Sequence, residues 1–440
     1  MKKYIAALLV LLMVFSFSGI AHAEEGIAGQ EIVMWTFLDP VSGTSGREIA
    51  LAKIIEAFEA ETGAKVTVEP VEHSTLQAKF LAAHNVGNAP DIVWVTVTQL
   101  GTCIKNGALA PLDDLFMNDW TEEQWADADS MPVKSGVGED GLHYQLPFSV
   151  NFIALIYRED LLAEAGYKFS DTETFPSWAE FCEAIKKLTV EKDELTGAKR
   201  YGYGGVYPAS AGDPNLVVNT LLGVYGSMIK DDGTANFANE AGVGAVEMIR
   251  DLYSEGYISS TAVTDTIENL YEDFKAGKYA MITGPSTRLA NIIAGASFDP
   301  STIKIMPYPS DNGDFSPSML GGWCAGVWSG SAHKEAAGKF LEYMFLNDYL
   351  WTTDGGQPPV LASTIEKLDA EGFFEDASRN YIRDVMNCVT KATLPPPKDF
   401  SISGYQGDLN NVVQEVLVND ADIMEALEAA EESFNERNLD

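Results

Sequence analysis

The stretch EIVMWTF, residues 31–37, opens an alternation of strands and helices that decides the fold. Its apolar run has the pattern of a buried strand, and a turn-rich loop, DPVSGTSG at 39–46, follows it. A helix comes next, with Gly63 as its expected C-cap, and strands are predicted at 65–71 and 91–95. The apolar stripe of that helix consists of Leu51, Ile54, Ile55 and Phe58. Strands that alternate with helices indicate a parallel sheet with right-handed crossovers, in an α/β fold.

The same alternation continues beyond the first third of the chain. Residues 148–157 have a strand pattern, and Ser177 followed by Glu180 predicts a capping box that opens another helix. Apolar residues at helical spacing recur from Ile267, from Ala337 and from Leu409. A chain of 440 residues is too long for one ordinary core, so two domains are expected.

The composition excludes several classes of partner. With 65 Asp and Glu against 29 Lys and Arg, the formal net charge is −36. Such a surface repels nucleic acid and anionic lipid headgroups, since phosphate binding needs clustered Lys and Arg. The 46% apolar and 10% aromatic content excludes a disordered acidic chain, because it provides ample material for a packed interior.

The N-terminus has the pattern of a removable export signal. Lys2 and Lys3 precede an uncharged apolar stretch at 5–20, and Ala21-His22-Ala23 provides a small-x-small cleavage pattern. The apolar stretch is shorter than the ~20 residues that a helix needs to cross a bilayer. We therefore expect residues 1–23 to be removed near Ala23, with no direct membrane insertion and a periplasmic or secreted product.

The sequence gives no strong sign of an active site or a metal centre. The histidines left after processing lack H-E-x-x-H spacing, and no G-x-S-x-G or phosphate-binding lysine motif occurs. Short fragments that mimic penicillin-binding motifs occur in reversed order and are attributed to chance. Loops at 231–233 and 311–314 lack EF-hand spacing and are expected to be turns. A hydrolase that uses two of the many carboxylates stays open as an alternative.

Four cysteines, at positions 103, 182, 324 and 388, are far apart in the chain. Their spacing excludes C-x-x-C redox and zinc motifs. In an exported protein they either form two disulfides or stay free and buried, and the sequence alone leaves both open.

Several segments, in this order and spacing, resemble extracellular solute-binding proteins of the maltose-binding type. They cover nearly the whole chain after residue 23. The segments are GNAPDIVW at 87–94, GALAPLDD at 107–114, GLHYQLP at 141–147, ALIYREDLL at 154–162, FPSWAEF at 175–181, FKAGKYAM at 274–281, and Gly321-Gly322-Trp323 with AAGKFL at 336–341.

The resemblance implies two α/β lobes, each a mainly parallel sheet flanked by helices, joined by a multi-segment hinge. Lobe one would take residues 24–147 and 306–346, and lobe two residues 148–305 and 347–440. The chain would cross between lobes near 148–151, 305–308 and 346–349. Among disulfides, only Cys103 with Cys324 and Cys182 with Cys388 would then permit hinge motion.

The resemblance also implies a function and a pocket. The protein would capture a mono- or oligosaccharide by lobe closure and deliver it to the membrane permease of an ABC importer, as a monomer without cofactor or metal. Polyamine, peptide and iron remain alternative solutes. Aromatic rings suit sugar C–H faces and planar polar groups suit hydroxyls. The expected ligand-binding residues are Trp323, Asp39, Thr96, Thr98, Asn151, Tyr207, Ser286 and Arg288.

Four of these residues, Trp323, Asn151, Asp39 and Arg288, also have a structural interpretation. Trp323 would otherwise be a core residue under the hinge, and Asn151 part of the hinge alone. Asp39 would otherwise bind the backbone of its own turn. Ser286 stands where the family often has a stacking Trp, so that contact is in doubt, and Arg288 is a substitute donor unless it pairs with a carboxylate.

Overall fold

A computed structural model describes residues 26–73, 75–170, 173–208, 216–225, 228–309, 311, 318, 320–376, 378–390 and 405–438. The expected signal peptide, residues 1–23, lies outside the described residues. Within the described ranges, no helix is both long enough and apolar enough to cross a membrane.

The first strand and helix form as their sequence predicts. Ser45 caps the first helix, and the side chain of Glu48, the third residue of that helix, accepts from the Ser45 N–H in a capping box. The predicted C-cap at Gly63 is confirmed, with a left-handed φ of 73° that suits glycine. Leu51, Ile54 and Phe58 face the core and are at most 1% exposed.

Eight strands form a sheet in the order β2-β1-β3-β8-β4-β6-β5, and β7 pairs with β4 outside this path. The strands are β1 (Glu31–Thr36), β2 (Lys65–Pro70), β3 (Ile92–Thr96), β4 (Leu146–Arg158), β5 (Tyr201–Gly204), β6 (Tyr279–Pro285), β7 (Ile303–Met306) and β8 (Leu320–Val327). Parallel pairing holds for β1 with β2 and β3, and for β5 with β6. The pairs of β4 with β6, β7 and β8, and of β3 with β8, are antiparallel.

Strand β4 changes partners part of the way along its length. Residues 146–152 pair with β8, whereas residues from Ile153 onward pair with β6 on one edge and, from Leu155, with β7 on the other. One continuous strand therefore belongs to both halves of the sheet.

Helices surround this sheet along the whole described chain. In the first half they are α1 (Gly46–Thr62), α2 (Leu76–Asn85), α3 (Leu100–Lys105), α4 (Glu122–Asp127), α5 (Met131–Lys134), α6 (Glu159–Glu164), α7 (Trp178–Leu188) and α8 (Leu216–Tyr225). In the second half they are α9 (Glu240–Ser254), α10 (Ile267–Lys275), α11 (Leu289–Gly295), α12 (Lys334–Leu346), α13 (Asp348–Thr353), α14 (Ala362–Ala370), α15 (Asn380–Val389), α16 (Tyr405–Asn419) and α17 (Ile423–Asn438). The predicted helices near Ile267, Ala337 and Leu409 are thereby confirmed, and Ser177 caps α7 by accepting from the Glu180 N–H.

Two large apolar clusters fill the interior. The first surrounds β1, β3 and β8 and includes the fully buried Trp94; it continues onto one face of β4 and β6. The second packs α7, α9 and α16 against β5 and includes Tyr203 and Tyr207. The α/β fold class is thus confirmed, with helices on both faces of a mixed sheet.

The four cysteines are free thiols in the structure. Burial raises the pKa of the Cys103 and Cys324 thiols to about 12, so neither thiol ionises at neutral pH. Of the two possibilities that the sequence left open, the structure has the one without disulfides.

Candidate functional site

The glycines before Trp323 bring two strands unusually close. Gly322 pairs with Val150 and has a φ of 129°, a conformation that other residues rarely adopt. A Cβ at this position would lie 1.8 Å from the Ser149 carbonyl oxygen. Glycine is therefore required for β8 to lie flat against β4 at the point just before β4 changes partners.

Trp323 is held against an aromatic neighbour by this arrangement. It pairs with Ser149 on one side and with Thr96 on the other, so its backbone joins β4 to β3. The Phe37 ring, just after β1, lies 4.5 Å from the Trp323 ring between centroids. Both residues are half-buried, so part of each side chain stays exposed. A partly exposed aromatic pair of this kind suits the C–H face of a sugar ring.

Asn151 lies on the same face of the sheet as Trp323, two residues along β4 from Ser149, and Ser286 directly follows β6. Asn151 pairs with Gly321, and its buried Oδ1 accepts no hydrogen bond from the described residues. Ser286, at the start of a short 3-10 helix, accepts a 3.0 Å hydrogen bond from the Phe152 N–H. An unsatisfied buried carbonyl oxygen is costly and is normally paired, so Asn151 has an acceptor to offer a ligand.

A cavity of about 200 Å³ opens beside Ser286. Its walls include Val150, Thr287, Tyr381 and the loop Gly355-Gly356-Gln357-Pro358. The Gln357 Oε1 is buried and receives no hydrogen bond within the described part of the chain. The cavity thus combines apolar walls with an unsatisfied amide oxygen, as sites for small polar solutes do.

Arg47 borders the same region from α1. Its guanidinium lies over the Phe37 ring, 5.2 Å from the centroid. The preceding residue, Gly46, lies against the cavity loop, because a Cβ there would be 2.1 Å from the Asp354 carbonyl oxygen and 3.4 Å from the Gly355 Cα. Removal from water lowers the pKa of the Arg47 guanidinium from its ordinary value.

We call this region the junction site because it lies where β4 changes partners. It consists of Phe37, Arg47, Asn151, Ser286, Trp323 and Gln357.

Three more of the expected residues lie near the junction site. Asp39 follows Phe37 by two residues, and its carboxylate accepts from the Val41 and Ser42 N–H groups and from the Ser42 hydroxyl. The Ser42 hydroxyl is the main cause of the lowered Asp39 pKa. Thr96 pairs with Trp323 and caps the 3-10 helix Val97–Gln99, in which Thr98 lies. Asp39 thus makes the local turn contacts that its structural interpretation anticipated.

The last two expected residues make contacts elsewhere. Tyr207 is 1% exposed within the second apolar cluster, and burial raises its pKa well above the usual value. Arg288 pairs with Glu268 at 2.6 Å and lies over the Tyr271 ring. This is the carboxylate pairing that the sequence offered as its alternative role. The structure therefore groups Trp323, Thr96, Asn151 and Ser286, and leaves Tyr207 and Arg288 outside the group.

Three junction-site residues were not expected from the sequence: Phe37, Arg47 and Gln357. Phe37 carried a signal that could have found it, since it is the aromatic residue at the carboxyl end of the first strand, where ligands of open α/β sheets bind. Arg47 and Gln357 stand in Gly-rich loop sequence, and their roles depend on contacts between segments about 300 residues apart.

Ser331, His333 and Asp91 are the residue types of a catalytic triad, but their hydrogen bonds are not those of a triad. Ser331 donates a 2.6 Å hydrogen bond to Asp91, and the His333 backbone N–H donates to the Ser331 hydroxyl. Asp91 also accepts from the Val33 N–H. Since the serine donates to the carboxylate and not to the imidazole, no activated nucleophile forms here. Within the described ranges, no group of three or more His, Cys, Asp or Glu side chains is arranged to hold a metal ion.

Comparison with known proteins identifies the class to which this fold and site belong. The family model for bacterial extracellular solute-binding proteins matches residues 43–350. Because this match covers most of the sequence, the chain belongs to that family. It is a solute-binding protein of the kind that serves ABC importers.

Individual relatives are distant but extend over most of the chain. The diacetylchitobiose binding protein DasA of Streptomyces coelicolor is 25% identical, over 74% of this chain and 71% of its own. The sn-glycerol-3-phosphate-binding periplasmic protein UgpB of Pectobacterium atrosepticum is 24% identical, over 89% and 86%. The sugar-binding protein MalE of Xanthomonas citri has the same fold, with a TM-score of 0.72, 19% identity, and coverage of 92% of this chain and 97% of its own.

Proposed function

We propose that the protein captures a carbohydrate at the junction site by closure of two lobes and delivers it to the permease of an ABC importer. The observation that carries the proposal is the half-buried pair of Trp323 and Phe37, with ring centroids 4.5 Å apart, together with the unsatisfied oxygen of Asn151, which pairs with Gly321 two residues before Trp323. Rings that bind C–H faces and amides that bind hydroxyls are the two components a sugar site needs. The names of DasA and MalE, both sugar binders, support this class of solute.

The lobes that we propose follow the sequence division, 24–147 with 306–346 and 148–305 with 347–440. The change of partners within β4, after Phe152, supports a boundary near this point. In this proposal the other two connections are residues 305–308, which begin within β7, and residues 346–349, where α12 ends and α13 begins. In this division Trp323 and Phe37 belong to lobe one, and Ser286 and Gln357 to lobe two, so a ligand at the junction site would contact both.

The proposed cycle contains no covalent step. An open form binds the sugar against Trp323, the second lobe completes the hydrogen bonds, and the importer recognises the closed form. We propose that this occurs outside the cytoplasm, after cleavage of residues 1–23 near Ala23, with a monomeric protein. A micromolar dissociation constant, about −8 kcal/mol, is within reach of one or two stacked rings with several hydrogen bonds.

The test is a thermal-shift screen of the mature chain over mono- and oligosaccharides, followed by small-angle scattering with the best ligand. A ligand at 100 times its dissociation constant adds ~2.7 kcal/mol of stability, which is a clear shift of the melting temperature. The radius of gyration should fall on binding. If an amine or a peptide shifts the melt and no carbohydrate does, the solute class is wrong; a tight-binding sugar without compaction would refute closure. Turnover of an oligosaccharide would favour the two-carboxylate hydrolase instead.

A further inference from the structure

Arg47 is a charged residue of the junction site that makes no ion-pair contact with the described residues. Its guanidinium lies over Phe37. The nearest carboxylate in sequence, Glu48, accepts from the Ser45 N–H at 2.8 Å and the Asp39 N–H at 3.2 Å. The charge of Glu48 opposes the lowering of the Arg47 pKa by burial, but the loop backbone takes its hydrogen bonds, and burial remains the larger effect on the guanidinium.

Other arginines of the protein differ from Arg47 in this respect. Arg200, which is as enclosed, contacts the buried Asp193 at 2.5 Å, and Arg158 contacts Asp160 at 2.5 Å. Arg379, like Arg47, lies over a ring, but it is exposed to water and needs no partner. In a chain with more than two carboxylates for each cation, a partly buried arginine without a carboxylate is unusual. Taking a cation out of water without an anion is unfavourable.

The position of Arg47 in its helix also argues against a purely structural role. It is the second residue of α1, where the helix dipole presents partial positive charge. A cation is disfavoured at this end, and an anion is favoured. Neither helix stability nor an internal ion pair accounts for an arginine here.

We propose that Arg47 binds an anionic group of the captured solute, so that the solute is an acidic carbohydrate bearing a carboxylate, phosphate or sulfate. This inference rests on the proposed function of the junction site. Trp323 and Phe37 contact the sugar ring, and the guanidinium binds two oxygens of the acidic group side by side, which is the geometry that arginine favours. The bound anion forms the ion pair that the guanidinium does not make with the described residues of the protein.

The negative charge of the whole protein does not oppose this contact. The charges of distant surface carboxylates are screened over about 8 Å at physiological ionic strength. Within the site, the carboxylates closest in sequence, Asp39 and Glu48, are each held by two backbone N–H groups. A single acidic group on a small ligand thus meets one unpaired cation at close range.

The test compares sugars that differ in one acidic group. Calorimetric titration of the mature chain uses D-galactose against D-galacturonate, and D-glucose against D-glucose 6-phosphate, so the two arms separate carboxylate from phosphate. We expect the acidic member of at least one pair to bind at least tenfold more tightly, and raising NaCl from 0.05 M to 0.5 M to weaken that member alone.

Two variants of α1 test whether Arg47 is the residue that causes the preference for the acidic sugar. Arg47→Gln should remove the tenfold preference, because it weakens the acidic sugar at least tenfold more than the neutral sugar. Lys53→Gln removes the same charge from α1, at a residue paired with Asp354 at 2.9 Å, and should leave the preference unchanged. Should Arg47→Gln prove unstable, Arg47→Lys replaces it, with a reduced preference expected.

The outcomes separate this inference from the function on which it rests. Neutral sugars that bind as tightly as their acidic partners overturn the role of Arg47 and leave carbohydrate capture standing. An equal loss of both affinities in Arg47→Gln also overturns it, because the residue would then only support Phe37. If no sugar of either kind binds, both proposals fail.

Discussion

The two halves of the sheet treat their aromatic side chains differently. On the side where β4 pairs with β8, Trp323 and Phe37 are half-buried and lie against each other. On the side where β4 pairs with β6 and β7, the rings of Tyr203 and Tyr207 are each 1% exposed and belong to the core. Of these four aromatic residues, Trp323 and Phe37 are the two that keep part of their side chains exposed.

Backbone geometry at the junction explains the difference. Gly321 and Gly322 carry no side chains, so no side chain of β8 covers the sheet face just before Trp323, and Trp323 stays partly exposed. Around Tyr207, α16 closes the surface, and Asn410 on that helix donates a hydrogen bond to the Pro208 carbonyl oxygen. Accessibility of a ring therefore depends on its neighbours in space more than on its own type. The following experiments test that comparison.

The largest effect is expected at Gly322. Gly322→Ala places a Cβ 1.8 Å from the Ser149 carbonyl oxygen at a φ of 129°, so β8 must shift away from β4. We expect a loss of more than about 4 kcal/mol in the free energy of unfolding, measured by urea denaturation. Gly321→Ala is the matched control, since its Cβ would meet nothing closer than 3.8 Å, and it should change stability by less than about 1 kcal/mol. Equal losses of stability in the two variants would show that β8 does not approach the Ser149 carbonyl oxygen closely at Gly322.

The buried carboxyl group of Asp348 should make the free energy of unfolding depend on pH. Its carboxylate accepts from the Val360 and Leu361 N–H groups, and burial raises its pKa from 3.8 to about 7. Because the folded pKa lies above the unfolded one, this contribution to stability is complete below pH 3.8, is lost as the pH rises towards 7, and is constant above.

Urea denaturation between pH 4 and pH 8 should reveal this loss as a difference between wild type and Asp348→Asn. The difference should shrink by on the order of 4 kcal/mol at most across that range. Asp39→Asn is the control, because hydrogen bonds from Ser42 lower the pKa of Asp39 from 3.8, so its contribution is lost only as the pH falls below about 3.8 and should be nearly constant between pH 4 and pH 8. A difference that does not vary with pH would mean that Asp348 is ionised in the folded protein.

A smaller loss of stability is expected at Ser286, which joins the 3-10 helix to β4. Ser286→Ala leaves the buried Phe152 N–H without its acceptor, so the free energy of unfolding should fall by about 2 kcal/mol. Ser301→Ala, which removes an exposed hydroxyl bonded to Asp299, should have little effect. Thermal or urea denaturation of the two variants provides the comparison. Similar losses in the free energy of unfolding would show that the Ser286 hydrogen bond does not stabilise the junction.

The smallest change in free energy concerns ligand binding itself. Trp323→Ala should weaken the best carbohydrate by at least tenfold, or about 1.4 kcal/mol, without a comparable loss of stability. Tyr207→Phe removes a buried hydroxyl in the other half of the sheet and should leave the dissociation constant unchanged. Calorimetric titration measures both. If Trp323→Ala binds the sugar normally and Tyr207→Phe does not, the ligand-binding ring lies in the half of the sheet that contains Tyr207.

Local pattern predicts the elements of this fold well. Phe58 and Gly63 were recognised as a core residue and a helix cap because both depend on spacing within one helix. Trp323 and Asn151 are predicted as ligand-binding residues through a resemblance that covers nearly the whole chain. Strand pairing brings these two residues near each other, because Asn151 lies opposite Gly321, two residues before Trp323.

What the sequence could not predict depends on distant segments. The partner of Arg288 is Glu268, on a different helix, and among so many carboxylates no spacing distinguishes it. Arg47 acquires its position because Gly46 packs against the loop at Asp354, more than 300 residues later. Whether Tyr207 is buried likewise depends on α16, at the end of the chain. Such contacts form only in the folded protein.

The exchange of partners along β4 has a consequence for how the protein unfolds. A strand that supplies hydrogen bonds to β8 through one part and to β6 and β7 through the other cannot leave one half of the sheet without removing an inner strand from the other. Melting that begins on either side is therefore transmitted through a shared backbone. We expect the whole sheet to behave as one cooperative unit, although its parts belong to a molecule whose task requires them to move.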